Sequence, residues 1–101
     1  MADYRHPTYD LRRFQQLVRC GQLTIVGSAL SELILLDMDV DGVRDCLLRL
    51  QPNDFYKSMP SIRMPGMWQD VYRPVHKAAQ LYVKLQIGVM GTAVLIQFKR
   101  K

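Results

Sequence analysis

The sequence contains no apolar run approaching the roughly 20 residues of a membrane-spanning helix. Its first ten residues, MADYRHPTYD, also lack the apolar segment of a signal peptide. Only two cysteines occur, Cys20 and Cys46, without a CxxC motif or a Cys/His cluster. These absences argue against a membrane protein, a disulfide framework and a metal site. They predict a soluble, cytoplasmic protein without metal or cofactor, in which both cysteines are buried thiols.

Acidic residues are scarce in the second half of the chain. Residues 1–53 carry six Lys and Arg against seven Asp and Glu, whereas residues 54–101 carry eight against two. The formal net charge of +5 therefore arises in the second half. Such an asymmetry favours a polyanionic partner such as nucleic acid. Attraction to a membrane surface is the competing explanation, but no basic amphipathic helix accompanies the charge.

The length of 101 residues suits one domain, residues 1–101, with a modest core. Apolar residues at spacings of three and four predict three helices in the first half, at residues 9–20, 28–36 and about 40–50. We expect Gly21 to end the first helix and Ser28 and Asp39 to cap the next two. In the second helix the residues expected to face inward are Ala29, Leu30, Leu33 and Ile34.

The apolar period changes to two after Pro52, which indicates a sheet. The inward sets are predicted to be Leu81, Val83, Leu85 and Ile87 in one strand and Val94, Ile96 and Phe98 in the last strand. An antiparallel hairpin that buries both sets places Tyr82, Lys84 and Lys99 on one outer face. The predicted fold is α+β, with N-terminal helices packed on one face of a C-terminal antiparallel sheet.

Basic, amide and aromatic side chains are interleaved at residues 54–74, DFYKSMPSIRMPGMWQDVYRP. Cations that neutralise phosphate beside rings that stack bases suit a nucleic-acid cleft, although an ordinary half-buried strand pair has the same pattern. If Gln69 and Arg73 join the outer face, Trp68, Asp70 and Tyr72 point inward. Asp70 then needs a buried partner. Alternation puts Lys57 beside Phe55 and Met59 and turns Tyr56 away from Lys57, but it leaves open which face Tyr56 takes.

Four blocks in the second half resemble the motility quorum-sensing regulator toxin family: DFYKSM at 54–59, WQDVYRP at 68–74, QLYVK at 80–84 and FK at 98–99. The resemblance implies a compact fold shared with the RelE and YoeB toxins, and an endoribonuclease that cleaves single-stranded mRNA at GC-containing sites without a metal. It also implies two partners: the mRNA substrate and a cognate antitoxin encoded by an adjacent gene.

The resemblance also implies roles for individual residues. Lys57, Gln69, Tyr82 and Lys99 match the positions that carry activity in the family. Tyr56, Met59 and Arg73 match positions that assist substrate contact, and we expect Lys84 to contact RNA with them. His76 matches none of these positions.

The chemistry of these residue types is compatible with RNA cleavage, because RNA supplies its own nucleophile, the 2′-hydroxyl. Lys57, Lys99 and Arg73 can hold phosphate charge, and crowded cations lower the pKa of a lysine. Tyr82 can donate or accept a proton, and Gln69 can orient the phosphate or a base edge. The sequence leaves open which lysine acts as the base. Two alternatives also stay open: a non-catalytic RNA- or ribosome-binding module, and a degenerate toxin that cuts nothing.

Overall fold

Helices and strands alternate only at the start of the chain, in the order α1, β1, α2, α3 and then β2 to β6. The computed structural model describes residues 4–101. The helices are α1 Leu11–Arg19, α2 Gly27–Leu35 and α3 Val40–Leu48. The strands are β1 Leu23–Ile25, β2 Phe55–Pro60, β3 Trp68–Tyr72, β4 Val75–His76, β5 Ala79–Ile87 and β6 Ala93–Arg100. None of the helices within residues 4–101 is long and apolar enough to cross a membrane.

Local sequence explains the ends of α1 and α3. The side chain of Asp10 accepts the backbone N–H of Arg12 at the start of α1. Gly21, just past its end, takes a left-handed φ of 77°. Asp39 caps α3 by accepting the N–H of Gly42 at 2.7 Å. The predicted roles of Gly21 and Asp39 are therefore confirmed.

The second helix departs from the prediction in two respects. It begins at Gly27, and its N-cap residue makes no side-chain bond, so Ser28 is not the cap. Leu30 and Ile34, which were expected to face inward, are 44% and 78% exposed. The buried positions of α2 are Ala29 and Leu33. Only a narrow stripe of α2 packs on the core, because Ala29 and Leu33 are four residues apart. Leu30 and Ile34 each follow one of them and therefore point about 100° away.

The six strands form one mixed sheet with the order β1-β6-β5-β3-β2, and β4 pairs with β5 outside this path. All of these pairings are antiparallel except that of β1 with β6, which is parallel. The α+β class is confirmed. The sheet is mixed rather than wholly antiparallel, because β1, from between the first two helices, joins its edge.

One face of the sheet carries the hydrophobic core, and all three helices cover that face. Each helix contributes buried side chains, as do the inward positions of β3, β5 and β6. The buried residues are Phe14, Leu17, Val18, Ala29, Leu33, Val43, Cys46, Leu47, Leu50, Tyr72, Leu81, Val83, Leu85, Ala93, Leu95 and Phe98. The opposite face of β2, β3, β5 and β6 is left uncovered by the helices.

The two cysteines lie in different environments. Cys46 of α3 is buried, and burial raises the pKa of its thiol to about 11. Cys20 is exposed, so the prediction that both thiols are buried is wrong for Cys20. The reason is its position as the C-cap of α1, one residue beyond the last helical turn that packs on the core.

A β-bulge interrupts the alternation of β6. Lys84 pairs with Gln97 and the next residue, Leu85, pairs with Leu95, so Ile96 is an extra residue without a partner. The buried set of β6 is Ala93, Leu95 and Phe98. The prediction of an inward Val94, Ile96 and Phe98 is therefore correct for Phe98 and wrong for the other two.

Candidate active site

A row of residues crosses four strands on the face opposite the helices. Lys57 of β2 lies opposite Val71 of β3, Val71 opposite Lys84 of β5, and Lys84 opposite Gln97 of β6. Directly paired residues share a face of the sheet. Val71 is fully buried, with an exposure of 0%. It is nevertheless not a member of the core cluster that the helices cover. Its direct partners on the two neighbouring strands, Lys57 and Lys84, are themselves half-buried.

Tyr82 and Lys99 form the adjacent row. They are direct partners in the pairing of β5 with β6, which confirms the shared outer face that the hairpin predicted. The ammonium nitrogen of Lys99 lies 5.4 Å from the centre of the Tyr82 ring, and that of Lys84 lies 5.9 Å from it. The phenol of Tyr82 is therefore flanked by two ammonium groups on one open face.

A second bulge places Tyr56 beside the lysines. Phe55 pairs with Tyr72, whereas Lys57 pairs with the residue just before Tyr72, so Tyr56 is an extra residue. Its ring is 47% exposed. The guanidinium carbon of Arg73 lies 4.2 Å from the ring centre, and the Lys57 nitrogen lies 5.6 Å from it. Tyr56 thus joins the face of Lys57 and Arg73. The expectation that it turns away from Lys57 is wrong, because the bulge interrupts the alternation.

Amide and thioether groups border the lysine row on its other side. Met59 pairs with Gln69, and the Gln69 amide nitrogen donates to the side-chain oxygen of Gln86 at 3.5 Å. Gln86 in turn pairs with Val94. The outer face therefore carries an amide pair next to the cations, with Gln86 buried and Met59 at the edge.

Burial and neighbouring charge act most clearly on Lys84. Burial lowers the pKa of its ammonium below the ordinary value, and the positive charges of Lys99 and Lys57 lower it further. The Glu32 carboxylate opposes these effects. A lowered pKa brings a lysine closer to exchanging protons near neutral pH.

A buried carboxylate supports β3 from the helix side. Asp70 is 0% exposed, and its two oxygens accept the backbone N–H groups of Thr8 at 3.0 Å and Tyr9 at 2.9 Å. These donors are the partners that the sequence could not identify. The inward orientation predicted for Trp68, Asp70 and Tyr72 agrees with this bonding and with the burial of Tyr72 in the core.

The residues 4–9 form what we call the N-terminal strap, which lies along β2 and β3. Tyr4 exchanges backbone hydrogen bonds with Ser58, and its ring stacks on Trp68 with centroids 4.4 Å apart. The Tyr9 hydroxyl donates to the Trp68 carbonyl at 2.6 Å. The strap thus fixes the two strands that carry Lys57 and Gln69.

Glu32 of α2 holds β6 next to Lys99. Its carboxylate accepts the backbone N–H of Phe98 at 3.0 Å. The pairing of β1 with β6 ends at Leu95, so within residues 4–101 no strand pairs with Phe98 on that side. Glu32 therefore takes the place of a strand partner immediately before Lys99.

A concave surface lies away from this face. A groove of about 740 Å³ runs between the end of α2, the start of α3 and the β4–β5 turn, and Asp39, His76 and Arg100 are among its lining residues. None of the four residues expected to carry activity lines it. His76 lies in β4, paired with Ala79. Within residues 4–101, no three His, Cys, Asp or Glu side chains are grouped to hold a metal ion.

The outer face therefore combines cations, a phenol and amides on an open sheet rather than in an enclosed pocket. Such a surface suits a polymer that lies across several strands, with phosphates near the lysines and bases against the rings and amides. The structure brings all eight predicted residues to this one face: Tyr56, Lys57, Met59, Gln69, Arg73, Tyr82, Lys84 and Lys99.

Comparison with known proteins identifies the family. The model of the motility quorum-sensing regulator family, described as the toxin of MqsA, matches residues 6–100. The chain belongs to this family. It is 37% identical over 97 residues to the mRNA interferase toxin MqsR of Escherichia coli (strain K12), covering 96% of this chain and 97% of the relative. The family resemblance noted in the sequence is thus confirmed.

The roles of individual residues remain predictions. The structure nevertheless shows three residues at or beside the outer face that the sequence prediction did not name as site residues. Gln86 and Gln97 belong to the face, and alternation along the strands gave the signal for both. Glu32 carried no signal, because its contact with β6 spans 66 positions of sequence.

Proposed function

We propose that the protein is the toxin of a type II toxin–antitoxin pair and acts as an endoribonuclease on single-stranded mRNA, at GC-containing sites in the cytoplasm. The observation that carries this proposal is the meeting of Lys57, Gln69, Tyr82 and Lys99 on one open, cationic face. Family membership supports the same function, since the E. coli relative is named an mRNA interferase toxin.

The proposed reaction is an internal transesterification. The 2′-hydroxyl loses its proton and its oxygen forms a bond to the neighbouring phosphorus, while the bond to the 5′-oxygen of the next nucleotide breaks. Lys57, Lys99 and Arg73 hold the negative charge that develops on the phosphate oxygens. Tyr82 gives its proton to the departing 5′-oxygen, and the Gln69 amide orients the phosphate or a base edge. The products are a 2′,3′-cyclic phosphate and a 5′-hydroxyl.

A defined single-stranded RNA containing one GC site tests the function. The purified protein should cut it with unchanged rate in excess EDTA, because the proposed groups are ammonium, phenol and amide groups. Alanine at Lys57, Tyr82 or Lys99 should lower the rate at least about 100-fold. Alanine at the exposed Lys77, outside the face, is the matched control. RNA binding without cleavage would instead establish the non-catalytic module, and loss of activity on chelation would refute metal independence.

We also propose that an adjacent gene encodes the antitoxin, a partner consistent with the family description as the toxin of MqsA. Expression of the chain alone should arrest growth, and co-expression of the neighbouring gene should restore it. Continued arrest despite co-expression would count against that gene as the antitoxin.

A further inference from the structure

Three lysines, Lys57, Lys84 and Lys99, lie on the outer face, and their places in the sheet differ. Lys99 is exposed near the end of β6, whereas Lys84 is half-buried in the middle of β5. Lys84 lies in the same row as Lys57, two strands away or about 10 Å between Cα atoms. It is also the diagonal neighbour of Lys99, whose direct partner is Tyr82. Lys84 is therefore the central member of the group.

We propose that Lys84 is a catalytic residue whose neutral amine takes the proton from the 2′-hydroxyl of the substrate. This inference rests on the proposed function and assigns the base that the sequence left open. The amine nitrogen gains the proton as the 2′-oxygen bonds to phosphorus, and Tyr82 protonates the leaving 5′-oxygen. Proton return from the Lys84 ammonium to the Tyr82 phenolate through solvent then restores both groups, so the step needs no further reactant.

Burial and two neighbouring ammonium groups disfavour the charged form of Lys84. Lys57 on β2 and Lys99 on β6 oppose its positive charge, and burial disfavours the charged form. Its pKa is accordingly lowered from the ordinary value of about 10.5. Tyr82 faces it on its own strand, and the Glu32 carboxylate on α2 favours the ammonium. The Lys84 nitrogen lies 5.9 Å from the centre of the Tyr82 ring, whose phenol completes the proton transfer.

The test compares Lys84→Arg and Lys84→Met in single-turnover cleavage from pH 6 to pH 10. Arginine keeps the positive charge but cannot act as a base. We expect both variants to cleave at least about 100-fold more slowly than the wild type, with loss of the rising limb of the wild-type pH–rate profile. Lys84→Arg should still bind an RNA whose cleavage-site 2′-hydroxyl is replaced by hydrogen. Lys77→Met, an exposed lysine outside the face, should leave rate and profile unchanged.

Stability provides a readout that separates chemistry from misfolding. A lysine whose folded pKa is depressed destabilises the fold at every pH below that pKa, and the effect disappears above the unfolded pKa. Lys84→Met removes the charge and keeps a similar apolar stem, so its Tm at pH 7 should equal or exceed that of the wild type. A folded but inactive Lys84→Met is the expected result.

Chemical restoration of an amine at position 84 provides a further test of the proposed base. Lys84→Cys in a Cys20→Ser background, alkylated with 2-bromoethylamine, should regain cleavage, because Cys46 is buried with a thiol pKa raised to about 11 and does not compete. Lys84→Arg that keeps more than a tenth of the wild-type rate and its pH limb would overturn the inference and leave the proposed function standing. A wild-type protein that cuts no RNA would overturn both.

Discussion

Removing the Asp70 carboxylate should detach the N-terminal strap from β3. In the wild type this side chain is fully buried and accepts two backbone N–H groups, from Thr8 at 3.0 Å and from Tyr9 at 2.9 Å. A hydrogen bond to a charged acceptor contributes about 1.5–3 kcal/mol, so two give an upper bound of about 6 kcal/mol. Because Thr8 is itself exposed, the freed donors can reach water once the strap lifts.

We therefore expect Asp70→Ala to lower the free energy of unfolding by about 3 kcal/mol, half of the upper bound. At about 4–8 °C per kcal/mol for a chain of this size, the Tm should fall by about 12–24 °C. Asp70→Asn keeps one accepting oxygen, and about half of the loss should remain. Asp45→Ala is the control, since Asp45 is an exposed carboxylate paired with Arg49 at 3.1 Å and is worth at most about 0.5 kcal/mol.

Urea unfolding monitored by the fluorescence of Trp68, the one tryptophan of the chain, measures this effect. The Trp68 ring stacks on Tyr4 of the strap, so its emission reports strap detachment as well as unfolding. Amide exchange at Thr8 and Tyr9 should accelerate in both Asp70 variants. Unfolding midpoints matching that of the Asp45 control would refute the reasoning. Destabilisation with unchanged exchange at Thr8 and Tyr9 would refute the strap as its cause.

Two further predictions concern the bulges. Leu95→Ala should lower the free energy of unfolding by about 2–5 kcal/mol, because Leu95 is fully buried. Ile96→Ala should lower it by less than about 1 kcal/mol, because Ile96 is only partly buried. Equal losses of stability in thermal unfolding would contradict the register of β6. Tyr56→Ala should raise the KM for RNA about 5-fold to 100-fold by removing a stacking surface, whereas Tyr56→Phe should leave it unchanged. A large fall of kcat in Tyr56→Phe would show instead that the hydroxyl takes part in the reaction.

The sequence predicted the α+β class and the shared outer face of Tyr82 and Lys99, because period-two alternation is a local property that survives in β5. Contacts between distant parts of the chain lay beyond such reasoning. The bonds from Thr8 and Tyr9 to Asp70 span 62 and 61 positions, and the need for a partner was visible while the partner was not. Leu30 and Ile34 of α2 were misassigned for a related reason. An amphipathic pattern shows which side of a helix is apolar, but the packing of α2 on β6 decides how much of that side is buried.

Strict alternation would have kept two of the lysines away from the site. In β2 the inward position of Phe55 predicts an inward Lys57, and in β6 the inward position of Leu95 predicts an inward Lys99. The extra residues Tyr56 and Ile96 each reverse the faces of all residues that follow them.

Because of its bulge, each of these strands packs on the core with a residue before the bulge and places a lysine on the outer face after it. In β6, Leu95 packs inward ahead of the bulge, and Lys99 meets Tyr82 beyond it. A β-bulge leaves no composition signal in Ile96, so counting back from Phe98 misplaced Val94 and Ile96. Counting forward from Phe98 crosses no bulge, which is why the same pattern placed Lys99 correctly. The position of an irregularity relative to the residue of interest, rather than the strength of the alternation, decides whether such a prediction holds.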